Sequence, residues 1–223
     1  MADKPRWESG SRMVTSLRLA STLHSTQARK KDNEPYLGHL LGVAALVIEY
    51  GGTEDQACAA LLHDSIEDRN QTVESLAAEV GDVVAALVDG CTESYVIPEG
   101  KKKKQVWAER KHWYLDHLRN DAHPDAVLVA LADKVNNCEK TLRDFHEYGN
   151  DPVRLWAGFN AGDTCQAWWY RSLVKEFRAK NLPHPASMLV DRFHEAVEAL
   201  FAGRELVTCD RDHQHHDAVG GAK

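Results

Sequence analysis

The chain has 223 residues, of which 43% are hydrophobic and 27% are charged, and its formal net charge is −7. This composition is that of an ordinary globular protein and does not fit the disordered, collagen-like or membrane classes. The acidic balance argues against electrostatically driven binding of nucleic acid. The length predicts a single domain over residues 1–207, followed by a polar, histidine-rich tail over 208–223 that we expect to be disordered.

Hydrophobic residues recur with a helical period along almost the whole chain, and no convincing alternation typical of strands occurs. The pattern predicts an all-α bundle of about eight to ten helices. In chain order, the predicted helices cover residues 11–30, 35–50, 54–68, 72–81, 82–90, 105–119, 124–148, 152–178 and 185–201. Thr72 and Asp82 are the expected N-caps of the fourth and fifth helices. The intervening segment 93–104 lacks periodicity and predicts a mobile loop.

No segment of the sequence indicates export or membrane insertion. The N-terminal residues lack the apolar core of a secretory signal, and the longest apolar stretch, residues 40–48, is far too short to cross a bilayer. The five cysteines form no C-x-x-C pair, and reduced thiols suit a cytosolic protein. We therefore expect a cytoplasmic protein without a membrane partner.

The third predicted helix passes from an apolar run into four ionisable residues, His63, Asp64, Glu67 and Asp68. On a continuous helix these side chains fall within a sector of roughly 140°. The three carboxylates would repel one another and would oppose the helix macrodipole near its C-terminus. A bound cation would relieve both conflicts, and imidazole and carboxylate are ligands expected for Mn, Fe or Zn. The alternative is a solvated helix end that happens to be acidic.

Three further residues favour the metal site. His39 lies on an otherwise apolar helix, where a histidine by itself is more often a hydrogen-bonded core residue than a ligand. Asp133 follows the apolar run 127–132, and a buried aspartate there is costly unless it is paired or bound to metal. Asn137 comes one helical turn after Asp133 and shares its face. Together with the third helix, these residues predict a site with two histidines, two aspartates and an adjacent acidic pair.

The pattern His39…His63-Asp64…Asp133 resembles the metal-binding signature of the HD phosphohydrolase superfamily. Longer blocks are similar to those of the RelA/SpoT-type hydrolase domain, and they occur in order over about residues 20–145. These blocks cover residues 24–30, 34–44, 59–68, 88–92, 109–111 and 131–137. The resemblance implies a single HD domain that acts as a stand-alone alarmone hydrolase. Such an enzyme would remove the 3′-pyrophosphate of ppGpp or pppGpp, releasing pyrophosphate and GDP or GTP.

The resemblance also implies a role for individual residues. It makes manganese the expected cofactor, although the ligand set tolerates other divalent transition metals. The implied metal ligands are His39, His63, Asp64 and Asp133. Glu67 and Asp68 match the catalytic acidic pair of the family. The implied substrate-binding residues are Arg29, Lys30, Asn137, Arg110 and Lys111.

Two features depart from the family pattern. Asn136 stands where many members have histidine or tyrosine, and the loop with Lys101, Lys102, Lys103 and Lys104 has no counterpart, so we interpret it as a charged loop rather than a substrate clamp. Two alternatives remain open: an HD phosphohydrolase for another nucleotide, such as an adenine alarmone or a phosphorylated dinucleotide, and a non-catalytic nucleotide sensor. The sequence is also compatible with a homo-oligomer.

Overall fold

The computed structural model describes residues 5–29, 33–204 and 208–210, so that Lys30 and most of the 208–223 tail lie outside the described residues. Within these ranges the chain is all-α, as predicted, and the one β-type pairing is an isolated antiparallel bridge between Ala28 and Pro35. The described helices are α1 (Ser11–Leu23), α2 (Leu37–Glu49), α3 (Glu54–Leu62), α4 (Ser65–Arg69), α5 (Val73–Val80), α6 (Asp82–Cys91), α7 (Trp107–Asn120), a 3-10 turn (Pro124–Ala126), α8 (Val127–Glu147), α9 (Pro152–Trp156), α10 (Asp163–Ala179) and α11 (Ala186–Leu200). None of these helices is both long enough and apolar enough to cross a membrane.

The chain divides into two compact units. The first comprises the residues up to Glu93 together with Ala122–Asn136 and Leu182–Leu189, and the second comprises Ser94–Asp121, Asn137–Asn181 and the residues from Val190 onwards. The sequence gives no signal for this division, because no Pro-, Gly- or Ser-rich linker separates the two sets of residues.

Helix α3 is the central element of the first unit, where it packs against α1, α2 and α6. It begins with a capping box, in which Thr53 accepts a hydrogen bond from the Gln56 N–H (3.2 Å) and the Gln56 side chain accepts one from the Thr53 N–H (2.9 Å). The six residues from Ala57 to Leu62 are all buried. Three of them are alanines, whose small side chains let neighbouring helices approach closely. His63 therefore follows directly on a fully buried helical segment.

The predicted third helix does not run unbroken to Asp68. It is interrupted after Leu62, and α4 starts at Ser65 with Asp64 at φ −96° and ψ 3°. The Ser65 hydroxyl donates a hydrogen bond to the Leu62 carbonyl (2.5 Å), which satisfies an acceptor that the helix leaves open. The sequence-based placement of His63, Asp64, Glu67 and Asp68 on one continuous helix surface was therefore wrong.

Helix α1 is also shorter than predicted, because it ends at Leu23 rather than at residue 30. The chain then turns and pairs with the segment before α2, where the Arg29 N–H donates to the Glu34 carbonyl (2.8 Å) and the Tyr36 N–H donates to the Gln27 carbonyl (2.9 Å). These backbone hydrogen bonds replace those that a longer helix would have made. The pairing also brings Arg29 and Tyr36 to the same end of α2.

The second unit is built on aromatic contacts. The Tyr114 and Trp169 rings meet edge to face with centroids 5.5 Å apart, and the Phe177 and Phe193 rings meet in the same way at 6.2 Å. The predicted helix 152–178 is broken into α9 and α10, with Gly162 at the N-cap of α10. This break and the one after Leu62 turn the nine predicted helices into the eleven α-helices of the described residues.

Candidate metal centre

The four predicted metal ligands converge within the first unit. His39 comes from α2, His63 and Asp64 from the interruption between α3 and α4, and Asp133 from α8. The Nε2 atom of His39 lies 3.7 Å from Asp64 Oδ2 and 3.3 Å from Asp133 Oδ1. The Nε2 atom of His63 lies 3.0 Å from Asp64 Oδ2 and 3.6 Å from Asp133 Oδ1. Both imidazoles are buried, with exposed fractions of 3% and 5%.

The other nitrogen of each imidazole is held by a hydrogen bond that turns Nε2 towards the carboxylates. His63 Nδ1 lies 2.8 Å from the Ala60 carbonyl oxygen, which can only accept, so the proton of the neutral ring is on Nδ1. His39 Nδ1 lies 2.8 Å from Asn136 Oδ1. Metal-binding histidines commonly use their second nitrogen in this way, because the bond fixes the ring and leaves the other nitrogen free to coordinate.

Each carboxylate likewise has a neighbour that orients it. The Tyr36 hydroxyl donates a hydrogen bond to Asp64 Oδ2 (2.5 Å). Lys134 Nζ donates to Asp133 Oδ2 (2.6 Å), which leaves Oδ1 as the atom that faces the two imidazoles. Burial and the Asp64 carboxylate raise the pKa of Tyr36 above its ordinary value, so this phenol stays protonated and acts as a donor.

The geometry and chemistry of the four groups fit a divalent cation. Two of the four N–O separations, 3.0 and 3.3 Å, equal the edges of a coordination polyhedron with bonds of about 2.1 Å, which are about 3.0–3.4 Å long, and the other two, 3.6 and 3.7 Å, are slightly longer. His63 Nε2 is buried and has no hydrogen-bond partner among the residues that the structure describes. A buried lone pair beside two carboxylates is unfavourable unless a positive charge lies between them. His39, His63 and Asp64 form a potential metal cluster on distance alone, with ligand atoms within 4.8 Å of one another.

The pKa shifts of His63 and Asp64 also indicate that a positive charge is favourable at this site. Burial by itself would lower the pKa of His63, but the carboxylates of Asp64 and Asp133 outweigh it and raise this pKa well above its ordinary value. Burial would raise the pKa of Asp64, but His63 outweighs it and lowers this pKa to about 2. Both pKa shifts have the direction that a positive charge on or beside the His63 ring would favour.

We expect the apparent affinity for Mn²⁺ to rise with pH beyond the ordinary imidazole range. The His63 proton must leave before Nε2 can coordinate, and a raised pKa means that this proton is still present above the usual value of about 6.5. Isothermal titration calorimetry between about pH 6 and about pH 9 in two buffers of different ionisation enthalpy would count the protons released. An affinity that is level over this range, without proton release, would contradict the expectation.

The predicted acidic pair lies on α4, within one helical turn of Asp64. The Glu67 side chain is open to solvent, and its Oε1 accepts a hydrogen bond from the Glu93 N–H (2.8 Å). Loss of hydration next to the protein raises the pKa of Glu67, and the nearby Asp64 carboxylate adds to this effect. Asp68 Oδ2 accepts a hydrogen bond from Gln27 Nε2 (2.7 Å). The two acids therefore point to different partners.

The predicted substrate-binding residues fall into three groups. Arg29 lies in the first unit, where its guanidinium donates to Asn136 Oδ1 (3.3 Å). Lys30 lies outside the described residues. The remaining three belong to the second unit: Asn137, Arg110 and Lys111. Arg110 is 9% exposed, and the Lys111 ammonium lies 4.6 Å from the centre of the Trp169 ring. Their roles in substrate binding remain predictions.

Sequence reasoning assigned no role to Tyr36, Gln27 or Asn136, which the structure places in contact with site residues. Tyr36 and Gln27 lie in the blocks that resemble the RelA/SpoT-type domain, but that resemblance implied no role for either residue. Asn136 was counted as a departure from the family pattern. Its spacing of three residues from Asp133 on one helix was the available signal, since such neighbours share a face.

The HD domain family matches residues 16–158 of the chain. A Mus musculus protein named guanosine-3′,5′-bis(diphosphate) 3′-pyrophosphohydrolase MESH1 is 35% identical over 184 residues, which are 81% of this chain and 88% of its own length. A Danio rerio protein of the same name is 36% identical over 173 residues, 76% of this chain and 86% of its own length.

Solved structures show the same fold. One of a metazoan SpoT ortholog, described as hydrolysing ppGpp, superposes with a TM-score of 0.63 at 24% identity, covering 85% of this chain and 97% of its own. A Listeria monocytogenes protein superposes with a TM-score of 0.60 at 26% identity, covering 73% and 98% of the two chains. This chain therefore belongs to the HD-domain family, among hydrolases related to the MESH1 3′-pyrophosphohydrolases.

Proposed function

We propose that this chain hydrolyses the 3′-pyrophosphate of ppGpp and pppGpp in a manganese-dependent reaction, releasing pyrophosphate and GDP or GTP. The observation that carries the proposal is the convergence of two imidazoles and two carboxylates on one small volume, in a chain whose relatives bear the name of this activity. His39, His63, Asp64 and Asp133 would hold the cation. When bound, such a cation polarises a phosphoryl oxygen and lowers the pKa of a coordinated water.

Glu67 is the group that we assign to the water. Its carboxylate lies on α4 beyond the metal ligands, and its raised pKa brings it closer to the working pH, where a general base is most effective. The hydrogen bond from the Glu93 N–H fixes one carboxylate oxygen and leaves the other available to accept a proton. Asp68, whose Oδ2 accepts a hydrogen bond from Gln27, would share in orienting the same water.

Arg29 is the described cation that we assign to the substrate phosphates, together with Lys30. A guanidinium presents a planar fork of donors that matches phosphate oxygens, so it suits a substrate with several phosphoryl groups. Asn137, Arg110 and Lys111 are proposed as further substrate contacts on the strength of the resemblance alone.

A nucleotide panel tests the proposal. The purified protein with Mn²⁺ is expected to release pyrophosphate from ppGpp and pppGpp, and to leave GDP and GTP unchanged because they lack a 3′-pyrophosphate. Including ppApp, a 2′,3′-phosphorylated dinucleotide and a chelator control separates the other candidates. Turnover of one of these nucleotides without turnover of ppGpp would replace the substrate assignment. Tight binding of ppGpp without any hydrolysis would instead indicate a nucleotide sensor.

A further inference from the structure

The two imidazoles of the metal centre are oriented by different kinds of acceptor. His63 Nδ1 faces a backbone carbonyl, that of Ala60, which fixes the ring tautomer by itself. His39 Nδ1 faces the side-chain amide of Asn136 at 2.8 Å. An amide can present either its oxygen or its NH₂ group, so this contact fixes the tautomer of His39 only if something else fixes the amide.

Arg29 supplies that second constraint. Its guanidinium donates to Asn136 Oδ1 at 3.3 Å, and a guanidinium has donors only. If the amide were reversed, its NH₂ group would face the guanidinium and the two sets of donors would repel. The oxygen therefore faces Arg29 and His39 together. Because this oxygen can only accept, His39 must carry its proton on Nδ1, and its Nε2 keeps a free lone pair towards Asp64 and Asp133.

A glycine makes room for the amide in this orientation. A Cβ atom added to Gly42, on α2, would lie 2.5 Å from Asn136 Nδ2. Side-chain atoms do not approach this closely, so any larger residue at position 42 would force the amide to rotate or move. For Gly38, one turn earlier on the same helix, no atom of the described part of the chain contacts the same added Cβ within 4 Å. A side chain at position 42 would therefore displace the Asn136 amide, whereas one at position 38 would not.

We infer that Arg29 and Asn136, with the space left by Gly42, are positioning residues that select the Nδ1-protonated tautomer of His39 and thereby prepare its Nε2 to bind the metal. The inference deepens the proposed function, on which its metal-binding part rests. It adds to Arg29 a role that exists before any substrate arrives. It also gives a function to Asn136, for which the resemblance implied none.

The first test compares Gly42→Ala with Gly38→Ala. Both replacements put alanine in place of a glycine of the same helix, where alanine favours helix formation, but only Gly42→Ala displaces the Asn136 amide. We expect Gly42→Ala to weaken Mn²⁺ binding by roughly 10- to 100-fold, the usual effect of losing a partner of a metal ligand. Gly38→Ala should bind Mn²⁺ as the parent chain does. Electron paramagnetic resonance of free Mn²⁺ measures both affinities, and equal affinities for the two variants would overturn the inference.

The second test examines the ring nitrogens of His39 directly in the metal-free protein. Long-range ¹H–¹⁵N spectra distinguish a ring protonated on Nδ1 from one protonated on Nε2. The parent chain is expected to show a single, Nδ1-protonated form. Arg29→Met, which keeps the side-chain length but removes every donor, should introduce the other tautomer, whereas an arginine that only binds substrate would leave the spectrum unchanged.

Asn136 offers a matched pair of variants that does not depend on a steric clash. Asn136→Ala removes the acceptor and is expected to weaken Mn²⁺ binding by roughly 10- to 100-fold, whereas Asn136→Asp keeps an acceptor and should bind at least as well as the parent chain. Failure of Asn136→Asp to rescue binding would contradict the inference. The NMR readout separates the two proposals: the expected tautomer in a protein that binds no metal would refute the metal site and leave the orienting contacts in place.

Discussion

Replacing Glu67 with glutamine is expected to lower kcat for pyrophosphate release by roughly 100- to 10,000-fold, the range that a positioned general base contributes. The glutamine oxygen can still accept the hydrogen bond from the Glu93 N–H, so the side chain should keep its place. What it loses is the ability to take a proton from water. Because Glu67 is not one of the four groups that converge on the cation, Mn²⁺ affinity should be unchanged.

Steady-state kinetics on ppGpp together with Mn²⁺ titration would measure both expectations. Glu79→Gln is a suitable control, because Glu79 is a surface carboxylate of the same unit whose ion pair with Arg18 is exposed to solvent. A Glu67→Gln variant with full activity would show that another group accepts the proton of the attacking water, and Asp68 would be the first candidate. A variant that loses Mn²⁺ would show that Glu67 itself contributes to the cation.

Replacing Asp133 with asparagine is expected to abolish metal binding and, with it, hydrolysis. Asp133 Oδ1 is the atom within 3.6 Å of both imidazole Nε2 atoms, and the change removes its charge while keeping its size. The loss in Mn²⁺ affinity should exceed the roughly 100-fold that follows from removing a partner of a ligand. Lys134, which now donates to Asp133 Oδ2, would also lose its counter-charge.

Thermal melting with and without Mn²⁺ gives a readout that does not depend on substrate. Metal at about 100 times its Kd stabilises the folded state by about 2.7 kcal/mol, so the melting temperature of the parent chain should rise on addition of Mn²⁺ and that of Asp133→Asn should not. Asp125→Asn, which changes an exposed carboxylate of the same unit, should respond like the parent chain. A normal metal-dependent rise in Asp133→Asn would remove Asp133 from the ligand set.

The all-α fold and the convergence of the four predicted metal ligands could be predicted, because both depend on patterns that are visible in a sequence. Helices require apolar residues at a fixed period, and a buried Asp133 within an apolar run is too costly to occur without a partner. The ordered blocks then identified the family, which the matched domain and the relatives confirm.

The interruption between α3 and α4 was not predictable. The residues around it include no glycine or proline. The hydrogen bond from the Ser65 hydroxyl to the Leu62 carbonyl is local, and the spacing of hydrophobic residues does not indicate it. The early end of α1 has a different cause, since it depends on pairing with residues 34–36, which only the tertiary structure supplies. The break before α10 did have a signal, because Gly158 and Gly162 lie within it.

The contacts of Asn136 were hidden for a related reason. The role of Asn136 depends on its contacts with three residues from other parts of the chain, His39, Arg29 and Gly42. None of these contacts can be predicted from spacing along the sequence. A comparison with the family pattern could only show that Asn136 is unusual. The three-dimensional structure supplies the geometry that makes it interpretable.

The central place of α3 has a consequence for local unfolding. A helix enclosed by three others opens only when most of its unit unfolds, so its amide hydrogens should exchange with solvent among the slowest in the chain. Arg29, by contrast, lies outside the helices, in a segment whose described backbone pairing is with residues at the start of α2, and non-helical segments at the surface generally open at lower cost than an enclosed helix. Fluctuations that release Arg29 should therefore leave His63 in place. Under the proposed function, a bulky nucleotide would enter and leave on the Arg29 side of the site while the part of the candidate metal centre that α3 supports stays intact.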